Sequence, residues 1–284
     1  MKRLFTLLFC LIYSVSFSQT DILTAQEAAQ WIKSNKNLRI IDASKSKIYQ
    51  AAHLKNAVNI PVSQLVNNDE IPGLLKTPAQ LASIFGQYGI SEKNDILVYD
   101  EGSQKYASRM YWVLKYLGVP NVKILHKNNQ QWRKARLMQT SQKPTVKKAV
   151  FTPHVNTALY ADMTEVEKAI KNPSVVIVDA RSPDKYNGTS EVSDGHIPTA
   201  VNLYFEDVLT SEKDFKPATE LQQLVQTKGI TPEKTVIVYC MTGIKASVVY
   251  VALTQILHYK KVKLYDGAYE EWWAHYKPLV KGIK

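Results

Sequence analysis

Val236-Ile237-Val238-Tyr239-Cys240-Met241-Thr242-Gly243-Ile244-Lys245-Ala246-Ser247 is the stretch from which the rest of the chain is read. Four apolar residues, three of them β-branched, run into a single cysteine. A run this short and this apolar suits a strand covered on both faces, as in a parallel sheet. A polar, glycine-containing turn follows, and Ala246-Ser247-Val248-Val249-Tyr250 then starts a helical pattern. The cysteine therefore falls where open α/β sheets bind ligands, outside the carboxyl end of a strand. Two readings are open at that point: a nucleophile, or a small hydrophobe closing a core.

The stretch has a counterpart in the same chain. Ile96-Leu97-Val98-Tyr99-Asp100 stands 140 positions before Val236-Ile237-Val238-Tyr239-Cys240, and Trp132 stands 140 before Trp272. Upstream, Ile40-Ile41-Asp42-Ala43-Ser44, Tyr49 and Ala52-His53-Leu54 match Ile177-Val178-Asp179-Ala180-Arg181, Tyr186 and Gly195-His196-Ile197. Val122-Lys123-Ile124 matches Val262-Lys263-Leu264. A near-constant offset over most of each half signals a duplicated domain, and the period is far too long for a solenoid. Each half alternates β-branched apolar runs (38–42, 96–99 and 122–125, then 175–179, 236–239 and 262–265) with helix-like segments such as 103–117 and 244–257. The alternation predicts an α/β fold in each half, with a mostly parallel sheet flanked by helices. The expected divisions are 1–19 as a leader, 20–140 as a first domain, 141–152 as a lysine-rich linker around Pro144, and 153–284 as a second domain.

The chain of 284 residues has room for two such domains, and 45% hydrophobic with 21% charged residues are globular proportions. The net charge of +11 comes without an arginine-rich run or a basic-aromatic stripe. That argues against nucleic acid as a partner and leaves a surface suited to small anions. Met1-Lys2-Arg3, the apolar Leu4 to Tyr13 and the small Ser14, Ser16 and Ser18 read as a secretory signal peptide, too short for a membrane span. The expectation is a periplasmic or secreted protein, cut near Ser18 or Gln19, with no stable membrane association. Nothing points to a particular oligomer, and a monomer is the default. Cleavage would remove Cys10 and leave Cys240 as the only thiol, in a compartment where cysteines are usually paired or absent.

The residues after Cys240 suit an anion. Backbone N–H groups curled inward at a helix start make an anion-holding nest, and the same field favours a thiolate. Gly243 allows a backbone turn that other residues resist. Lys245 adds a mobile positive charge. In the first half the equivalent place reads Asp100-Glu101-Gly102-Ser103. An aspartate cannot carry sulfur, and two carboxylates repel an anion. The first half is therefore expected to keep the architecture without the chemistry and to wall one side of the pocket, with partner binding as the alternative.

With these residues in place the chain resembles the two-domain rhodanese-like sulfurtransferases, the family of thiosulfate and 3-mercaptopyruvate sulfurtransferases, over roughly residues 22 to 280. The resemblance rests on Asp42-Ala43-Ser44, Val98-Tyr99-Asp100, Asp179-Ala180-Arg181-Ser182, Tyr186-Asn187-Gly188-Thr189, Gly195-His196-Ile197-Pro198, Val238-Tyr239-Cys240 and Asp266-Gly267, in that order. It implies two tandem rhodanese-like domains, the first inactive because Asp100 holds the cysteine position. It implies Cys240 as the nucleophile, carrying a persulfide between a small sulfur-containing anion and a thiol or cyanide acceptor. It places Arg181, Met241, Thr242, Gly243, Ile244 and Lys245 around the substrate, and calls for no metal or organic cofactor. His196 is expected to brace a turn, and Tyr186 and Trp272 to pack. Thiosulfate-type loops usually read Cys-Arg-Lys-Gly-Val-Thr and mercaptopyruvate-type loops Cys-Gly-Ser-Gly-Val-Thr. The loop here matches neither. It lacks the two cations, has a hydroxyl at Thr242 and regains one cation at Lys245. Thiosulfate is the favoured donor, with 3-mercaptopyruvate, or a noncatalytic persulfide carrier or binding module, as the alternative. A cysteine phosphatase or arsenate reductase would need arginine where Ala246 stands.

Overall fold

The computed structural model describes residues 20–67 and 69–282, and the expected leader lies outside them. Each half carries a five-stranded sheet whose neighbours all run parallel. The first sheet is ordered Ile22–Leu23, Val122–Leu125, Asp95–Tyr99, Leu38–Asp42, Ala57–Asn59. The second is ordered Tyr160–Ala161, Val262–Tyr265, Thr235–Tyr239, Val175–Asp179, Val201–Asn202. The same topology appears twice, as the repeat requires. All six apolar runs are strands, with bounds within one residue of those read from composition. The remaining four strands of these two sheets have two or three residues each, too short to show a period.

Side chains alternate between the faces of each strand. Ile96 and Val98 point into one core while Leu97 and Tyr99 point into another; Val236 and Val238 separate from Ile237 and Tyr239 in the same way. The inner faces share one continuous core, which includes Met110 and Trp112 of the helix Lys105–Tyr116 and Val248 and Val249 of the helix Ile244–Val251. These two helices, each following the central strand of its own sheet, pack on one another across the domain boundary. The helical pattern expected over 244–257 is an α-helix to Val251 and a π-helical turn over Ala252–Ile256.

Local signals place the other helices. Thr24 with Glu27, and Thr77 with Gln80, form reciprocal caps at the starts of Ala25–Ser34 and Pro78–Gln87. The segment between the domains is extended and docked on the first domain. Ala149 donates to the Gly86 carbonyl at 2.9 Å, Phe151 stacks on Phe85, and the Thr152 N–H reaches Glu92. Among the described residues no helix is long and apolar enough to cross a membrane.

Candidate active site

Cys240 directly follows the central strand Thr235–Tyr239 and is 1% exposed. Two contacts pin the chain here: Tyr269 donates its N–H to the Cys240 carbonyl at 3.0 Å, and Glu270 to that of Met241 at 3.2 Å. Gly243, at φ +78°, turns the chain into the helix Ile244–Val251, and the Ser247 hydroxyl donates back to the Gly243 carbonyl at 2.9 Å. The first N–H groups of that helix have no partner within it. Among the described residues, the N–H groups of Met241 through Lys245 have no backbone or side-chain acceptor.

The first domain shows what such a loop holds. Asp100 is buried, and its carboxylate is enclosed by the loop that follows it. Oδ1 accepts from the N–H groups of Gly102 (2.8 Å) and Gln104 (3.2 Å). Oδ2 accepts from the N–H groups of Tyr106 (3.0 Å) and Ala107 (3.1 Å) and from the Ser103 hydroxyl (3.2 Å). The helices in register are Lys105–Tyr116 and Ile244–Val251, so Ala107-Ser108 matches Ala246-Ser247. The first domain thus builds the anion cradle and fills it with its own side chain. In the second domain the same place presents a sulfur. Glu101, beside Asp100, is held above the usual carboxylate range by burial and by that neighbouring charge. The first-domain loop is therefore closed to an outside anion.

Two further lysines act electrostatically on Lys245 of the Cys240 loop. Lys245 is held below the ordinary lysine range, chiefly by burial, with Lys185 and Lys105 adding to the effect and Cys240 and Glu206 opposing it. Its ammonium lies 5.1 Å from the Phe205 ring centroid. Lys185, just before Tyr186, and Lys105, from the first domain, were not singled out in the sequence. Lys185 has an isoleucine at the matching place in the first half, so the repeat offered no hint. On the other side Thr242 and Ile244 line a cavity of about 260 Å³, walled by first-domain residues including Val66, Pro72 and Tyr106.

Arg181, expected to bind substrate, sits in a buried network. It is 1% exposed, and its guanidinium is taken up by neighbours. Nε and Nη2 pair with Asp179, Nη1 donates to the Ser193 hydroxyl at 3.0 Å, and Nη2 also reaches the Gly195 carbonyl at 2.8 Å. The Tyr269 ring covers it, with Cζ 4.0 Å from the centroid. Four of its five N–H groups are thus held by the protein, and Arg181 ties the strand end to the 193–195 loop. Met241, Thr242 and Gly243 lead from Cys240 into the helix that Ile244 and Lys245 begin.

The tyrosine–histidine pairs repeat in both domains. His53 stacks on Tyr49 and His196 on Tyr186, each with centroids 3.7 Å apart and Nδ1 on that tyrosine's carbonyl. Tyr99 and Tyr239 each accept an N–H from the residue after the histidine, Leu54 and Ile197. These histidines brace the turns they stand in.

Comparison with known proteins points the same way. A model of the rhodanese-like domain matches residues 24–135 and again 162–275. The chain is 33% identical over 262 residues to a provisionally named thiosulfate sulfurtransferase of Synechococcus elongatus, covering 87% of this chain and 81% of that one. It is 30% identical over 251 residues to the 3-mercaptopyruvate sulfurtransferase of Escherichia coli K12, covering 86% and 88%. The crystal structure of SseA from Escherichia coli superposes with a TM-score of 0.80 at 28% identity, over 88% of this chain and 99% of that one.

Proposed function

The chain belongs to the rhodanese-like domain family, and on that premise we propose that it is a sulfurtransferase whose second domain moves a sulfane sulfur through a persulfide on Cys240. The observation that carries this reading is the Asp100 carboxylate in the first domain, held by four backbone N–H groups and a hydroxyl at the place Cys240 occupies in the second. A persulfide anion on Cys240 would sit where that carboxylate sits.

The Cys240 thiolate attacks the outer sulfur of a donor. With thiosulfate, the new S–S bond forms as the old one breaks, and sulfite departs with the bonding electron pair. The loop N–H groups and the helix start stabilise the terminal sulfur, which now carries the charge. A thiolate or cyanide acceptor then attacks that sulfur and takes it as a persulfide or thiocyanate, restoring the Cys240 thiolate. This two-step sequence gives ping-pong kinetics.

Thiosulfate is the favoured donor, because Lys185, Lys245 and Lys105 together match a doubly charged anion better than a singly charged keto acid. 3-Mercaptopyruvate remains the second donor to be measured. The protein is exported, on the strength of the signal-like residues 1–19; N-terminal sequencing of protein from the cell envelope fraction checks this, and an intact Met1 there would refute it.

The central test is mass spectrometry after treatment with each donor in turn. Cys240 should gain one sulfur, and Cys240→Ser should gain none. No adduct with either donor would sink the reading. Steady-state rates with thiosulfate and with 3-mercaptopyruvate then rank the donors.

A further inference from the structure

Arg109 lies on the first-domain helix Lys105–Tyr116 and is fully buried. The persulfide chemistry makes no direct use of it. Its Nη2 pairs with Asp266 of the second domain, 157 positions away in the chain, and lies 3.5 Å from the Gly73 carbonyl. Nε and Nη1 have no hydrogen-bond partner among the described residues. A buried guanidinium with idle donors is costly to keep.

What the guanidinium faces is the active-site loop. A methyl group placed on Gly243 would stand 2.8 Å from Nη1 and 3.1 Å from Cζ. Gly243 is the left-handed residue that turns the loop into its helix, so the guanidinium rests against bare backbone at the pivot. One residue earlier, first-domain backbone touches the loop again. A methyl on Gly73 would meet the Thr242 Cβ at 2.5 Å and its carbonyl at 3.0 Å. Asp266 binds this second piece too, accepting the Leu75 N–H at 2.9 Å. Thr242 and Gly243 therefore rest against two parts of the first domain that are anchored to one carboxylate.

We infer that Arg109 is a positioning residue for the reaction, supplied by the domain that lacks the cysteine. Anchored by Asp266, it fixes the Thr242-Gly243 backbone so that the loop N–H groups converge on the Cys240 sulfur. The inference rests on the reading of Cys240 as the nucleophile, and it gives the first domain a part in catalysis that Asp100 cannot provide.

Arg109→Met and Asp266→Asn in the full chain test it. The first half-reaction is followed by rapid quench and mass spectrometry of Cys240, alongside thermal unfolding of each variant. The rate at saturating thiosulfate should fall roughly 10- to 100-fold, as misaligned groups do, while the half-saturating concentration changes by less than about threefold. The thiolate titration, read by ultraviolet absorbance against a Cys240→Ser blank, should shift to higher pH as the N–H donors lose their aim. A purely structural role would lower the unfolding temperature and leave rate and titration alone. A folded variant with wild-type rate and wild-type titration overturns the inference. If Arg109→Met does not fold, Asp266→Asn carries the test, since it keeps an oxygen for the Leu75 N–H and loses only the anchoring charge. The titration needs no sulfur donor. If the wild type takes up no sulfur, the sulfurtransfer reading fails on that result, while Arg109 is still judged by whether its variants shift the thiolate.

Discussion

Arg181 and Lys245 show how one kind of charge takes two roles in one domain. Arg181 is enclosed by Asp179, Ser193, the Gly195 carbonyl and the Tyr269 ring. Removing it leaves the Asp179 carboxylate buried without its counter-charge, though still accepting from the backbone N–H of residue 181, a change that costs about 3–5 kcal/mol in comparable buried pairs. Arg181→Ala should therefore lose that much stability in urea unfolding while the folded fraction keeps its donor KM. A raised KM would return Arg181 to the substrate. Lys245 differs in being half-buried and crowded by Lys185 and Lys105, which lowers its pKa from 10.5. Its positive charge is therefore lost on the alkaline side at a lower pH than for an ordinary lysine, and with it part of the attraction for an anionic donor. The donor KM should begin to rise below pH 10.5, and Lys245→Met should raise it roughly three- to tenfold at neutral pH, equivalent to about 0.7–1.4 kcal/mol, and flatten the alkaline rise. A wild-type KM that stays flat through that range would remove Lys245 from donor binding. The network around Arg181 was not legible in the sequence, because it depends on Ser193, Gly195 and Tyr269, which only the fold brings to it.

The same contrast appears between the two strand–loop–helix elements. Both central strands end in a tyrosine followed by a polarisable or charged residue, and both helices begin over an Ala-Ser pair. One difference sits in the loops: four residues separate Asp100 from its helix and three separate Cys240 from its own. The longer loop wraps its N–H groups around a carboxylate, and Gln104 adopts φ +63° to do so. The shorter one turns at Gly243 and leaves its N–H groups for what the sulfur will carry. The central elements were legible because a parallel strand buried on both faces must be apolar throughout, a signal confined to a few consecutive residues. The edge strands and the docking of the linker were not, because their stability lies in distant backbone partners such as Gly86 for Ala149. The cradle itself was half legible. The sequence placed a cysteine and a glycine where a nest would form, and the duplicated half identified Asp100 as its counterpart. The hydrogen bonds that make Asp100 a stand-in for an anion arise only in the folded chain.

At the scale of the whole molecule, the two domains share their inner core, and that sharing is open to test. Trp112 stands at its centre, fully buried on the first-domain helix. It stacks on Tyr116, has the Arg109 guanidinium 4.9 Å from its ring, and donates its indole N–H to the Leu159 carbonyl of the second domain at 3.2 Å. Nearby, Asp21 ties the start of the first domain to both helices' surroundings: its carboxylate accepts from Tyr111 and Lys123, and its N–H donates to Gln255. A core crossed by so many contacts cannot lose one side and keep the other, because exposing one inner face exposes its partner. The intact chain should therefore unfold in one calorimetric transition. Trp112→Ala, which opens a cavity in that core, should lower stability by about 3–5 kcal/mol. The shift should appear equally in a first-domain probe and in the capacity of Cys240 to take up sulfur. If instead the scan separates into two transitions and the Cys240 signal keeps its wild-type midpoint, the domains are independently stable. The first domain's hold on the catalytic loop through Arg109 and Gly73 would then have to be a local contact, not one underwritten by a common core.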